Sequence, residues 1–346
     1  MGSKLVGMAA TITYLTGIQT SGMPHIGNYV GAIQPALALA NSGPGVQSMY
    51  FLADYHSLNS TTNPQRLRAD IRSVAATWLA CGLDPNRTLL YRQSSVPEVF
   101  ELATILNTVT AKGLMNRAHA YKAARDRNAE AGTADLDAGI NMGLFNYPIL
   151  MAADILVMAT DYVPVGRDQA QHIEYAADIA GAFNHRYGAG YQFPVPHGRY
   201  PEGEGSVLPG TDGRKMSKSY DNHIPIFLPE NQLKKLVRRI PTDSTPVEEP
   251  KDPDGSVPFQ LYAQFAEADR LAEARKRLEA GGMGWGELKN ELFETLNTTF
   301  AGMRGRYEEL VAPGSELDDI LADGAARARA RAGATLQRVR HAIGMD

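Results

Sequence analysis

The residues best suited to chemistry fall in two short runs whose first members, His25 and Lys215, stand 190 positions apart. The first run is His25-Ile26-Gly27-Asn28, and it follows a β-branched, aromatic segment and the glycine-punctuated loop TGIQTSGMP. That pattern predicts strand, loop, helix. A helix that opens there presents free backbone N–H groups and the positive end of its dipole, a natural seat for a phosphate. His25 can donate to a phosphoryl oxygen, and Gly27 lets a flat ring approach the backbone. A histidine at a helix start is also often an incidental surface residue. The second run, Lys215-Met216-Ser217-Lys218-Ser219, places two lysines three apart on a loop. Both can turn toward one triphosphate and offset the charge growing on a leaving pyrophosphate. The bland alternative is a solvated basic loop.

These runs need elements to position them. The sequence predicts strands at 11–15, 48–54 and 88–91, and a helix over 63–81 in which Ile71, Val74, Ala75 and Leu79 share a face. Such alternation predicts a parallel sheet with helices on both faces. Residues 96–121 read as helical, whereas 125–140 are polar, rich in Ala, Gly and Asp, and without period, which predicts a mobile loop. Order resumes at LFNYPILMAADILVMAT, followed by a short strand in DYVPVG and a helix entered at Asp168, whose carboxylate suits a cap, and ending near Asn184. Glycine and proline in 194–214 predict a long loop. Beyond Pro229 the reading is helical.

Composition narrows the class. With 346 residues, a larger domain and a smaller attached one are the natural division. The 44% hydrophobic and 21% charged content is that of an ordinary globular protein. No apolar run approaches the roughly 20 residues that span a bilayer. Residues 1–10 read as a tail without the apolar core of a secretory signal, so a cytoplasmic location is expected. The one cysteine, Cys81, sits in a helical run with no local base and reads as core packing. A net charge of −4 argues against a global nucleic-acid-coating field. Local basic patches remain open at 234–239 and at Arg327, Arg329, Arg331, Arg338 and Arg340, each of which could equally be a solvated helix face.

The two runs resemble the HIGH-like and KMSKS motifs of class I aminoacyl-tRNA synthetases. A complete five-residue match arises by chance in such a chain on the order of once in ten thousand. The segments GIQTSGMPHIGNY, LFNYPILMAADIL and VPVGRDQAQHIEY are similar to those of bacterial tryptophanyl-tRNA synthetases, and the similarity runs from about Ile12 to the terminal HAIG. The related tyrosyl enzymes tend to carry glutamine where this chain has Met151, which suits an apolar ring edge and binds a phenol hydroxyl poorly. If Tyr147 opens a helix, Met151 and Asp154 follow at i+4 and i+7 on the same face. Indole offers one N–H donor and no acceptor, so Asp154 is its complement. The alternative is a core helix in which Asp154 caps a neighbour.

The resemblance implies a Rossmann-type α/β domain over 11–225, with a helical insertion at about 96–150 and the 215–219 loop, and an all-helical C-terminal, tRNA-binding domain over 226–346. It implies that Leu15, Gly17, Val163 and Val165 lie against the indole, with Gln169 and Tyr147 near the substrate ammonium and His56 beside them. For ATP it implies Gln19, Thr20, Ser21, Gly27 and Asn28 from the first half. From the second half come Gly166, Arg167, Asp168, Val207 and the run Lys215, Met216, Ser217, Lys218 and Ser219. Lys122 matches a family lysine that reaches the phosphates. His25, Lys215 and Lys218 carry the catalytic roles. The implied activity is two-step: L-tryptophan and ATP give tryptophanyl-adenylate and pyrophosphate, then tryptophan passes to the terminal ribose of tRNA(Trp). Mg²⁺ is expected on the triphosphate, with no protein metal site, and the protein is expected to be a homodimer. This chain departs from the family at His25, where many members have threonine, at Thr20, where many have proline, and in its longer 125–140 segment. A tyrosyl enzyme, a non-catalytic regulatory relative and an adenylate-forming paralogue are the rival readings.

Overall fold

The computed structural model describes residues 11–43, 45–200 and 208–345. Strand β1, Ile12–Ile18, leads through a helical turn, Ile26–Asn28, and a π-helical stretch, Tyr29–Ile33, into α1, Gln34–Ala40. Then come β2, Val46–Leu52, α2, Pro64–Ala80, and β3, Leu89–Arg92. Helices α3, Glu98–Asn107, α4, His119–Glu130, and α5, Met142–Val157, precede β4, Tyr162–Pro164. Helix α6, Ala170–Tyr187, and β5, His197–Arg199, complete the sheet. The C-terminal helices are α7, Glu230–Arg238, α8, Val257–Tyr262, α9, Ala268–Ala280, α10, Trp285–Val311, and α11, Leu317–Ile343.

The strands form one parallel sheet in the order β3-β2-β1-β4-β5. Because the chain winds outward in both directions from β1, the strand order reverses between β1 and β4, and loops diverge there to leave a crevice at the strands' C-terminal ends. Alternation along β2 feeds two cores. Tyr50 and Leu52 pack with Val74 and Trp78 of α2 and, farther out, with Leu233 of α7 and Leu292 of α10. Met49 and Phe51 pack with Leu102 of α3, Ile155 of α5 and Phe183 of α6. This is a sheet buried on both faces, as parallel sheets require.

The architecture is the expected one, and local departures have physical causes. β1 continues past Leu15 to Ile18 because Gly17 pairs with Phe51 and Ile18 with Leu52, so the glycine sits inside a ladder and the loop starts later. A β-carbon on Gly17 would lie 2.9 Å from the Phe51 ring, so glycine serves close approach here. The 96–121 segment is broken into α3, a turn of helix at Lys112–Met115 and the start of α4. The segment expected to be a mobile loop, 125–140, instead continues α4 to Glu130 and then folds as turns. Its polar residues tie it down: the Tyr121 hydroxyl donates to Asp137 at 2.8 Å, and Asn128 Nδ2 donates to the Leu136 and Ala138 carbonyls at 2.8 and 2.9 Å. The expected long loop at 194–214 contains β5, whose three residues pair with β4 at the sheet edge without any alternating pattern to betray them. A 3₁₀ turn, Arg167–Gln169, precedes α6, so Gln169 holds the cap position expected of Asp168; the Asp168 side chain lies outside what is described.

The arginines of α11 are not a free basic patch. Arg331 donates to the Met158 carbonyl at 2.6 Å and to Gln47 at 2.9 Å, and Arg327 donates to the Pro85 carbonyl at 2.8 Å. Arg329 and Arg340 pair with Glu98 and Glu101 of α3, and Arg338 lies over the Tyr191 ring. Together with buried Ala328, Ala332 and Leu336, these contacts fasten α11 to the sheet. By contrast, Lys235 and Arg238 of α7 and Arg239 at its C-terminal cap are exposed, and neither they nor Lys234 pairs with a carboxylate among the described residues.

α11 crosses β3 at Gly324, where a β-carbon would sit 1.9 Å from the Leu90 carbonyl oxygen. Backbone on both sides leaves nothing free to yield. Gly324→Ala is therefore expected to cost about 3 kcal/mol or more, the upper end of overpacking. Gly333→Ala, in the same helix with open space around it, should be neutral or stabilise by up to about 1 kcal/mol through helix propensity. Urea unfolding midpoints of the two variants measure the contrast, and equal midpoints would contradict it.

Candidate active site

At the C-terminal ends of β1 and β4 opens a cavity of about 880 Å³. Of the residues expected at ATP, it brings together Gln19, Ser21, Asn28, Gly166 and Lys218, with Gly17 and Val165 on the same wall. Thr20 is turned inward, 1% exposed, with its hydroxyl 2.6 Å from that of Ser57, so it anchors the loop from behind. Arg167 lies in the 3₁₀ turn beyond Gly166. Val207 lies outside the described residues. Arg199 of β5 adds a cation to the wall and donates to the Tyr14 hydroxyl at 2.6 Å. Lys122 is carried on α4, away from this wall.

The two motifs are joined by main-chain pairing. Ile26 N–H donates to the Ile224 carbonyl at 2.9 Å and Ile226 N–H to the Pro24 carbonyl at 3.1 Å, an antiparallel bridge centred on His25 and Pro225. His25 caps the helical turn: its Nδ1 accepts from Asn28 N–H at 3.2 Å, and Asn28 Oδ1 accepts from His25 N–H at 3.0 Å. With Nδ1 committed as acceptor, the ring proton belongs on Nε2. Burial, then His223 and Lys218, push the His25 pKa down to about 4, so the ring is a neutral donor at pH 7. The Gly27 α-carbon is covered by the His25 ring and Met216 Sδ, 3.0 and 3.5 Å from a β-carbon position. Its missing side chain thus makes room for the His25 ring, while Met216 stays at ordinary contact distance.

Asn222, 2% exposed, organises that second motif. Its Oδ1 accepts from Ser217 N–H at 2.8 Å, its Nδ2 donates to Asp212 at 2.7 Å and to the Lys215 carbonyl at 3.1 Å, and its carbonyl accepts from Thr211 N–H at 2.8 Å. Met216 is buried at 4% and pins the loop's apolar side. Ser217 caps a 3₁₀ turn, its hydroxyl accepting from Ser219 N–H at 3.3 Å. Lys218 Nζ donates to the Ser21 and Gly22 carbonyls at 2.7 and 3.0 Å, which sets its ammonium at the cavity wall. Lys215 is exposed and is not among the residues that line the cavity.

A second cluster lies on α5. Asp154, 2% exposed, accepts from Gln93 Nε2 at 2.9 Å on both oxygens and meets His56 Nε2 at 2.9 Å. Burial raises its pKa while His56 and Gln93 oppose the rise. Three contacts leave about one of four lone-pair positions, on Oδ1, for another donor. Tyr147, whose pKa burial and Tyr175 push to about 12, is hydrogen-bonded to His172 Nε2, and His172 Nδ1 meets Gln169 Oε1 at 2.7 Å. Met151 is half-buried beside this cluster, whereas Leu15 and Val163 lie within the sheet core beneath it. Gln93, His172 and Asn222 were not singled out from the sequence. Gln93 and His172 have no local signature, because α5 reaches them only through the fold. Asn222 could have been found from its fixed place five residues after Ser217.

Asn222→Ala removes the three side-chain contacts that shape the loop and keeps the main-chain bond from Thr211. Faster amide hydrogen exchange is expected over 211–219 with the core strands unchanged. Protection in that segment equal to the parent would show that Met216 alone holds the loop.

Comparison with known proteins bears on what this geometry serves. Residues 8–301 match the family described as tRNA synthetases class I (W and Y). A Tryptophan--tRNA ligase from Pseudomonas aeruginosa is 51% identical over 335 residues, covering 97% of this chain and 74% of that protein. One from Neisseria meningitidis is 50% identical over 331 residues, 96% of this chain and 97% of the other. The crystal structure of tryptophanyl-tRNA synthetase from Campylobacter jejuni, complexed with ADP and tryptophan, superposes with a TM-score of 0.87 at 42% identity, over 96% of this chain and all of that one. A parallel sheet with its cavity at the strand-order reversal, two paired motifs and these similarities along nearly the whole chain have one reading: the chain belongs to the class I tRNA synthetases of the tryptophan and tyrosine branch.

Proposed function

We propose that the chain is a tryptophan–tRNA ligase. A tryptophan carboxylate oxygen bonds to the α-phosphorus of ATP, the α–β phosphoanhydride bond breaks, and pyrophosphate leaves. A terminal ribose hydroxyl of tRNA(Trp) then attacks the acyl carbon, and AMP departs. No covalent enzyme intermediate is needed, so catalysis is positioning and charge stabilisation. The observation that carries the reading is the pairing of the His25 segment with the segment after Lys218, which sets the Lys218 ammonium and the helix start at Asn28 on the wall of one crevice. Mg²⁺ enters with ATP as part of the substrate; among the described residues no three His, Cys, Asp or Glu side chains converge to hold a metal.

In this reading Gln19, Ser21, Asn28 and Gly166 flank the nucleotide, with the remaining family positions given above around them. Asp154 Oδ1 accepts the indole N–H, and Met151 lies against the ring, which favours tryptophan over tyrosine. Residues 11–225 carry the chemistry. The exposed basic side of α7 within 226–346 supplies Lys235, Arg238 and Arg239 as phosphate contacts for tRNA. A homodimer fits the exposed Tyr55, Leu58 and Met142, which cluster beside α3 and the start of α5. No helix among the described residues is long and apolar enough to cross a membrane, and a cytoplasmic site of action is part of the proposal.

The test is ATP–pyrophosphate exchange followed by tRNA aminoacylation. Exchange is expected with tryptophan and not with tyrosine, and the reverse would assign the tyrosyl activity instead. Lys215→Ala and Lys218→Ala are expected to lower kcat far more than they weaken tryptophan binding; equal losses in both would remove the lysines from the transition state.

The indole contact is tested by coupling. Asp154→Ala should cost roughly 1.5–3 kcal/mol in tryptophan specificity, and an analogue with sulfur in place of the indole nitrogen should lose a comparable amount on the unaltered protein. On the variant the analogue should lose little more, because both changes remove one contact. Simple additivity would mean that Asp154 serves only Gln93 and His56.

A further inference from the structure

Lys218 does not stand alone at the cavity. Its ammonium holds the carbonyls of Ser21 and Gly22, and Gly22 adopts φ +82°, a left-handed turn that aims both carbonyls at it. Behind the turn stands Asp70 of α2. A β-carbon at Gly22 would lie 3.1 Å from Asp70 Oδ1 and 3.9 Å from Lys218 Nζ, so carboxylate and ammonium face each other across one glycine. Asp70 also pairs with Arg66 one helical turn earlier, at 3.6 Å. Nothing in the two motifs points to α2, which the sequence presents as a helix packed on the sheet.

We propose that Asp70 is a positioning residue for Lys218, holding the second-motif ammonium over the Ser21–Gly22 turn so that it meets the triphosphate already placed. The inference rests on the ligase reading above. The charged groups around Lys218 are Asp70 and Arg66 from α2, His25 from the first motif and His223 from the segment after the second. His25 and His223 are both held toward their neutral forms by burial and by Lys218 itself. Burial lowers the Lys218 pKa, Asp70 raises it and Arg66 lowers it. Asp70 is therefore the one negative charge among these groups that favours the ammonium. Gly22 is needed as well, because a side chain there would press between the two charges on a backbone that resists it.

The experiment measures ATP–pyrophosphate exchange for the unaltered chain, Asp70→Asn, Asp70→Glu and Arg66→Ala, with kcat, both KM values and the pH profile of kcat. Asp70→Asn is expected to lower kcat about tenfold or more with the tryptophan KM unchanged, as misplacing a transition-state group does. Its alkaline limb should shift to lower pH, because without the carboxylate the ammonium gives up its proton sooner. Asp70→Glu should restore most of kcat. Arg66→Ala, which removes a competing cation, should leave kcat in place and move the alkaline limb, if at all, to higher pH. Normal exchange by the unaltered chain together with an unchanged kcat and pH profile in Asp70→Asn would overturn this inference and leave the ligase reading intact. Equal losses in Asp70→Asn and Asp70→Glu with both KM values raised would likewise assign Asp70 to packing alone. Absence of tryptophan-dependent exchange in the unaltered chain would overturn the ligase reading, and this inference with it.

Discussion

Two hydrogen bonds between peptide groups nearly two hundred residues apart, Ile26 to Ile224 and Ile226 to Pro24, are the constraint on which the rest of the site depends. Main-chain pairing is insensitive to side-chain fluctuation, so it fixes the distance between the helix start that faces the cavity and the loop that carries Lys218. The His25 ring and the Met216 side chain then lie over Gly27, both buried. Remove the bridge, and Lys218 would be an exposed lysine on a glycine-flanked loop with all its rotamer freedom. Ordering such a side chain at the moment of reaction costs up to about 2 kcal/mol, a cost that a preformed contact to the Ser21 and Gly22 carbonyls largely avoids.

The same economy governs the buried polar groups. Asp154 sits at 2% exposure, where an unpartnered carboxylate would take up a proton and lose its value as an acceptor. Gln93 and His56 supply donors that oppose that outcome without neutralising the group. Asp54, in the next layer, is likewise held by three donors, accepting from the N–H groups of Tyr55 and Ser94 and from the Ser94 hydroxyl. Amide and imidazole donors around one carboxylate leave a shaped and nearly complete set, with room for the one N–H that the proposed indole contact would supply. A ligand that lacks the donor leaves the set short, which is a stronger basis for discrimination than shape alone.

Helix α11 illustrates how one sequence feature can serve packing instead of recognition. Five arginines in fourteen positions read as a basic face. In the structure four of them reach carbonyls, a glutamine or carboxylates of the sheet domain and the fifth lies on a tyrosine ring. With the small residues Gly324, Ala328 and Ala332 lying against the sheet, the helix comes close enough for long side chains on its flanks to reach the turn before β3, the start of β2, the turn after α5 and α3. The last helix is thereby bound to the sheet domain, and of the two basic clusters in the last third of the sequence the one left facing solvent is at α7.

The sequence by itself determined the fold class and the chemistry. Alternating strands and helices demand a parallel sheet, and a glycine loop before a helix start, together with two lysines three apart, specify phosphate handling. These are local patterns, set by backbone geometry and residue type, and they survive without knowledge of any partner. That Asp154, Met151 and Tyr147 share one helix was legible for the same reason, as spacing along the chain, while their part in binding a ligand belongs to the proposal. What only the tertiary structure decided is everything that needs a distant neighbour: that 125–140 is tethered, that 197–199 is an edge strand, that Gln93, His172 and Asn222 complete the polar sets, and that Lys218 is held by the Ser21 and Gly22 carbonyls while Lys215 stays exposed. Edge strands, buried hydrogen-bond partners and charge pairs across a glycine have no period and no neighbours in sequence. Their energies exist only once remote segments are brought within a few ångströms, so the chain encodes them jointly and shows them nowhere locally.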